Sequence, residues 1–287
     1  MYDNIMISSF GSNIYNTIGF LDSVKERTND CVIWNSVGSA SLILFFKILG
    51  FNFHQMIHQL KDFNICHTFI NSFSLIPENE TEKKEFIEDW LISKINQVSL
   101  INTETTLKEI YRLTNLFPNF IVFSYSEKKI VSLNPSSTPD YNLIDCVMAS
   151  LPCVGTYLTH QINTEVYSNL NAINSLPTDH VFKTGKEKGF FHLGNISFFV
   201  DQLEELAPSP LLKYEKEIIN QFLERNKLLL TENEDVVVLY SDIFRELDNI
   251  KMDNLYKSGF LQGKNFLEGV DTRQSFMEHK TSIYNQD

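Results

Sequence analysis

Cys31-Val32-Ile33-Trp34-Asn35-Ser36-Val37-Gly38, leading directly into Ser39-Ala40-Ser41-Leu42-Ile43-Leu44-Phe45-Phe46-Lys47-Ile48-Leu49-Gly50, is the stretch that decides the fold. Cys31 to Trp34 is a short apolar run and reads as a strand. Asn35 to Gly38 is small and polar enough to read as a tight turn. Ser39 to Leu49 then has the length of a helix and is apolar almost all round, and Gly50 stops it. A helix without a polar face is buried on every side, as expected for one packed against the middle of a sheet.

The same unit opens the chain. Ile5-Met6-Ile7 reads as a strand, Ser8 to Asn13 as a small polar loop, and Ile14, Ile18, Leu21 and Val24 recur at helical spacing. Further helices are expected over residues 53–63, 80–98, 105–113, 143–148, 211–227 and 252–267. Residues 119–125 and 129–133 read as paired strands around Ser126-Glu127-Lys128, and 235–240 as a late strand. Residues 151–191 read as irregular. Alternating strands and helices imply an α/β fold, three layers α/β/α around a mostly parallel sheet, with function carried on loops at the carboxyl ends of strands. The expected organisation is one domain over residues 1–270 and a polar tail over 271–287.

Bulk properties narrow the function. The 287 residues carry 24 Lys+Arg against 36 Asp+Glu, a net charge of -12. No basic cluster exists beyond short pairs such as Lys128-Lys129, which argues against a nucleic-acid partner. Cys31, Cys66, Cys146 and Cys153 lack CxxC spacing and read as free thiols. The opening residues lack the regions of a signal peptide. The longest apolar stretch, Ala40 to Phe53, contains Lys47 and is too short to span a bilayer. A soluble, intracellular (cytoplasmic) protein is the expectation, with peripheral membrane contact left open.

A serine on a sharp strand-to-helix turn has an exposed hydroxyl and a helix N-terminus beside it to stabilise negative charge. Trp34-Asn35-Ser36-Val37-Gly38 matches half of the G-x-S-x-G pattern, with tryptophan replacing the first glycine. Other landmarks accompany it. Ser9-Phe10-Gly11-Ser12-Asn13-Ile14 stands where a Gly-rich loop is wanted, followed by Ile18-Gly19-Phe20-Leu21. Ile48-Leu49-Gly50-Phe51, Thr105 to Tyr111, Asn134-Pro135 with Thr138-Pro139-Asp140, and Ala149 to Pro152 follow in order. Tyr167-Ser168-Asn169-Leu170-Asn171 precedes Asn174 and Pro177, and Leu255 to Phe260 closes the series. Over about Ile5 to Glu268 the chain resembles the patatin-like lipid acyl hydrolases.

That resemblance implies ester hydrolysis of lipids by a Ser–Asp dyad, with oxyanion-hole N–H groups from the Gly-rich loop and no cofactor. On matching positions Ser36 would be the nucleophile, Asn169 would hold the position of the aspartate, and Gly11, Ser12, Asn13 and Val37 would form the loop and oxyanion environment. The departures fall on the chemistry. A neutral amide at Asn169 cannot accept the serine proton, which forfeits about 10²–10⁴-fold of rate. Phe10 and Ile14 replace glycines, and a misplaced oxyanion donor costs about 10²–10³-fold. Weak or lost hydrolysis is therefore expected. The alternative is an inactive lipid-binding, structural or interaction protein on the same scaffold. Asp140, Asp145, His160, Asp179 and His180 are the groups that could substitute for the base.

His54 and His58 lie four apart on an expected helix, a spacing that can share a metal. Gln55 stands where a zinc protease needs glutamate, so the ordinary surface or packing reading is preferred and no metal is assigned. Phe45-Phe46, Phe190-Phe191 and Phe198-Phe199 are expected in the core, with an acyl pocket as the alternative.

Overall fold

The structure, a computed structural model, describes residues 1–9, 11–63, 80–151, 159–170, 177–198, 234–242 and 248–269. The strands are β1 (Asn4–Ser9), β2 (Ile33–Gly38), β3 (Phe117–Ser124), β4 (Lys129–Leu133), β5 (His160–Ile162), β6 (Glu165–Ser168), β7 (Phe190–Phe198) and β8 (Glu234–Asp242). They form one sheet in the order β5-β6-β3-β2-β1-β7-β8, with β4 also paired to β3. β1, β2, β3, β7 and β8 are parallel, β4 and β6 run against them, and β5 turns back against β6. The helices are α1 (Asn13–Ser23), α2 (Lys25–Thr28), α3 (Ala40–Ile48), α4 (Phe53–Phe63), α5 (Glu80–Ile95), α6 (Leu107–Thr114), α7 (Leu143–Ser150) and α8 (Asn249–Leu267). The architecture is the three-layer α/β/α one with a mostly parallel central sheet.

Local chemistry starts several helices. Thr106 accepts from Glu109 N–H while the Glu109 carboxylate accepts from Thr106 N–H, a reciprocal cap on α6. Asn115 ends it in the left-handed conformation, φ 56°. Asn142 caps α7 through Asp145 N–H, so Asp140 has no part in that cap. Residues 151–191, read as irregular from sequence, contain β5, β6 and the start of β7. The first two strands have only three and four residues and include Gln161 and Glu165. Strands that short and polar carry no periodicity of their own, and the pairing of β6 to β3 and of β5 to β6 is what makes them strands. The helix expected over 211–227 and the tail beyond 270 lie outside the described residues.

Register divides the core. Ile5, Ile7, Trp34, Phe120, Val122, Phe191 and Leu193 share one face and join a large cluster with α1, α3, α4, α5, α7 and α8. Met6, Val37, Ile121 and Phe190 share the other face in a smaller cluster. Phe45, Phe46, Phe190 and Phe191 are core, as expected. Phe198 and Phe199 lie outside what the structure describes of side chains.

On the second face four asparagines make a buried row. Asn134 Nδ2 donates to Asn119 Oδ1 at 3.1 Å, Asn119 Nδ2 to Asn35 Oδ1 at 2.7 Å, and Asn35 Nδ2 to Asn4 Oδ1 at 2.8 Å. Both ends are tied off. Asn134 Oδ1 accepts from the backbone of Ser136 and Ser137, and Asn4 Nδ2 donates to Phe182 O at 3.0 Å. Phe182 N–H donates to Asn35 Oδ1 at 2.9 Å, which fastens the segment before β7 over this face.

Against the large cluster, α1 crosses α8 at backbone contact. A Cβ on Gly259 would lie 1.9 Å from Asn16 O, and one on Gly19 would lie 2.0 Å from Tyr256 O. Only glycine fits at either place. Tyr256 and Lys25 both bond the buried Asp22 carboxylate beside this crossing.

Two stability outcomes follow. Asn119→Ala leaves the Asn134 amide without its acceptor, while Asn35 Oδ1 keeps only the Phe182 N–H. Urea unfolding is expected to show a loss of about 1–3 kcal/mol. Gly259→Ala forces apart two backbones, so its cost should exceed the usual overpacking range of about 1–3 kcal/mol in the same assay.

Candidate functional site

β1 and β2 are adjacent parallel strands whose last partners are Ser9 and Gly38. Both chains then turn sharply on glycines of positive φ, Gly11 at 50° and Gly38 at 65°. Ser12 follows Gly11 as the N-cap of α1, and Ser39 follows Gly38 as the N-cap of α3. Ser39 N–H donates to Ser9 O at 2.9 Å, tying the mouth of one helix to the strand that feeds the other.

This places the turn three residues later than sequence suggested. β2 runs through Gly38, and Asn35 to Gly38 are strand residues. Ser36 pairs with Ile7 on one side and Phe120 on the other, is fully buried, and its hydroxyl lies 3.5 Å from Asn119 O. The residue at the helix mouth is Ser39, within Val37-Gly38-Ser39-Ala40-Ser41. Val37 is likewise within β2, directly before Gly38, and packs with Met6, Ile121 and Leu170. Asn13 opens α1 and is buried, and its carbonyl accepts from Thr17 Oγ1. The reason for the displacement is the asparagine row: Asn35 looks like a turn residue until Asn4 and Asn119 are seen to satisfy it within the sheet.

Asn169 arrives from the opposite direction. Phe120 pairs with β2 and β4, and Phe123 pairs with β4 and β6, so β2 and β6 occupy the same edge of β3. β2 runs up that edge and β6 runs down it. Continuing both registers brings Gly38 and Asn169 level with Val122. Asn169 is buried, and its Nδ2 donates to Leu151 O at 3.0 Å, at the C-terminal end of α7.

The titratable groups near these elements pair elsewhere. His160 Nε2 and Asp145 Oδ1 are 2.9 Å apart and join β5 to the first turn of α7. Asp145 lies six residues before Leu151, about 9 Å along the helix, while His160 sits opposite Tyr167, two residues before Asn169. The Tyr167 phenol is pushed up by burial and by the Tyr141 hydroxyl 3.4 Å away, and stays protonated. Asp179 and His180 lie in a short 3₁₀ turn, where His180 O accepts from Ser132. His54 is mostly exposed, with its Nε2 3.9 Å from Asp22, and His58 is exposed. Among the described residues no group of three or more His, Cys, Asp or Glu side chains could hold a metal. Cys66 and His67 lie outside those residues. No described helix is long and apolar enough to cross a membrane.

Of the residues singled out from sequence, Gly11, Ser12 and Asn169 follow the carboxyl ends of β1 and β6, and Ser36 and Val37 lie within β2. The serine at the helix mouth is Ser39, which reads from sequence as the start of the helix. The signal that could have found it is Gly38 directly before a serine that opens the largely apolar run from Ser39 to Leu49.

No protein-family model matches the chain, and no curated protein sequence matches it. Among solved structures it is similar to VipD from Legionella pneumophila, at 10% identity and TM-score 0.53, over 93% of this chain and 67% of that one. It is also similar to a chain of the heterodimeric ExoU–SpcU complex from the type III secretion system of Pseudomonas aeruginosa, at 13% identity and TM-score 0.51. That match covers 93% of this chain and 51% of the other, so this chain spans about half its length. At such identities the likeness shows the fold alone. It is the patatin-like fold that the motifs implied.

The buried thiols make a separate prediction. Burial, with the Asp3 carboxylate adding to it, pushes the Cys31 thiol up to about 12, and burial raises Cys146 as well. A thiol held protonated does not attack disulfides. Ellman's reagent at pH 8 should therefore leave Cys31 and Cys146 unmodified in the folded protein and modify both in guanidinium. Because the folded Cys31 holds its proton more tightly than the ordinary value of 9.0, stability should fall as pH rises from about 9 toward 12.

Proposed function

We propose that the chain is an acyl-ester hydrolase of the patatin type whose Ser–Asp route is closed, leaving weak turnover or none. One observation carries this reading: a serine at the mouth of a buried helix, directly after a left-handed glycine, on the sheet edge to which Asn169 is also led. Ser39 takes the nucleophile's place, since its hydroxyl stands at a helix N-terminus while that of Ser36 lies inside the sheet. Gly11 and Ser12, at the neighbouring mouth, supply the oxyanion loop.

The chemistry follows from the groups. For Ser39 Oγ to bond an ester carbonyl carbon, its proton must pass to an acceptor and later reach the departing alcohol. The Asn169 amide nitrogen has its lone pair delocalised into the carbonyl, and here its hydrogens point at Leu151 O. It orients and does not accept protons. The oxyanion loop and helix dipole still stabilise negative charge on the carbonyl oxygen. Lipid or acyl esters are the substrate class this site suits.

The test is fluorophosphonate labelling combined with a short-chain p-nitrophenyl ester assay. Slow labelling is expected that Ser39→Ala abolishes and Ser36→Ala leaves in place. Asn169→Asp should raise turnover by about 10²-fold or more, the scale of general-base help. Labelling confined to Ser36, or an Asn169→Asp protein as inert as the parent, overturns the reading.

A further inference from the structure

Ser12 and Ser39 share an unusual property. A serine at a helix N-cap ordinarily accepts a hydrogen bond from a first-turn N–H. Neither does so here, and both adopt helical backbone angles instead of the extended ones a capping serine uses. Their hydroxyl oxygens are buried with no hydrogen-bond partner among the described residues, and so is that of Ser41 in the first turn of α3. Buried hydroxyls in folded proteins are almost always bonded to protein or to ordered water. Three such hydroxyls stand without a partner among the described residues, at two helix mouths that the Ser39–Ser9 hydrogen bond holds together, and so have donors to offer.

The charge of that molecule can be read from the surroundings. α1 and α3 have eleven and nine residues, long enough for a developed dipole, and neither has an acidic residue in its first turn. Neither first turn has a lysine or arginine either, the residues there being Asn13 to Asn16 and Ala40 to Ile43. Each helix N-terminus counts for about half an elementary charge, so two together balance about one negative charge. A dianion would be left uncompensated among Ile14, Tyr15, Leu42 and Ile43, all fully buried.

We infer that the mouths of α1 and α3 form a receptor for the carboxylate of an amphiphilic monocarboxylic acid, with the Ser12, Ser39 and Ser41 hydroxyls donating to it. The inference rests on the same placement of Ser39 as the proposed function, and extends it to a stable complex that needs no general base.

Calorimetric titration of the full chain with decanoate below its micelle concentration, with decanol and with inorganic phosphate tests it. Decanoate should bind about tenfold or more tightly than decanol, and phosphate should bind more weakly than decanoate. Ser12→Ala and Ser39→Ala should each weaken decanoate binding with the circular dichroism spectrum unchanged. Ser39→Asp supplies a tethered carboxylate, so it should abolish decanoate binding without lowering Tm. Equal binding of decanoate and decanol, tighter binding of phosphate, or a large fall in Tm for Ser39→Asp overturns the receptor. Decanoate binding to a protein that fluorophosphonate never labels supports the receptor and removes the hydrolase. Labelling at Ser39 with no preference for decanoate over decanol does the reverse.

Discussion

The row Asn4–Asn35–Asn119–Asn134 is the constraint on which the placement of everything else depends. Four carboxamides are buried against a sheet, where each unpaired donor or acceptor would be expensive. They are satisfied only if β1, β2 and β3 sit in one register. A slip of one residue would carry every asparagine to the opposite face, among Trp34, Phe120 and Phe191, and break all the links together. Because the amides point head to tail, each bond also polarises the next. Register so fixed sets where β1 and β2 end, and the ends are level: Ser9 opposite Gly38, with Ser39 N–H on Ser9 O. The same asparagines hold Phe182 and so close one face of the sheet.

Where that row is fully satisfied, the helix mouths at the carboxyl end of the sheet are not. Ser12, Ser39 and Ser41 are buried hydroxyls with no hydrogen-bond partner among the described residues. Capping bonds at Ser12 and Ser39 would have stabilised α1 and α3 by about 0.5–2 kcal/mol each. A fold that satisfies a four-asparagine row and forgoes two caps a few residues away keeps donors available at one place. Unspent hydrogen-bonding capacity of this kind is characteristic of sites that trade stability for function.

Asn169 bears on the same arrangement. A carboxylate at 169 would bring a negative charge to the edge that β2 and β6 share. The amide there donates to Leu151 O. On the proposed reading it keeps the size of an aspartate and does not take the serine proton, while the helix mouths can still stabilise an anion.

Much of this was legible in the sequence. The all-apolar run from Leu42 to Phe46 could only be a helix buried against a sheet, and the spacing of Ile14, Ile18 and Leu21 marked its neighbour. The motif order from Gly11 to Asn169 matched one family's fold, which the solved structures bear out. What failed did so where a residue's local preference was overruled by a distant partner. Asn35 and Ser36 have the composition of a turn, yet Asn4, Asn119, Ile7 and Phe120, between 29 and 84 positions away, hold them inside a strand. β5 and β6 are too short and polar to announce themselves, and exist because β6 pairs along β3 and β5 along β6. The sequence by itself determined the sheet-and-helix layering, since burial of apolar periodicity is a local property of the chain. Which serine stands at the helix mouth was decided only by tertiary structure, because strand length is set by hydrogen bonds made across the sheet.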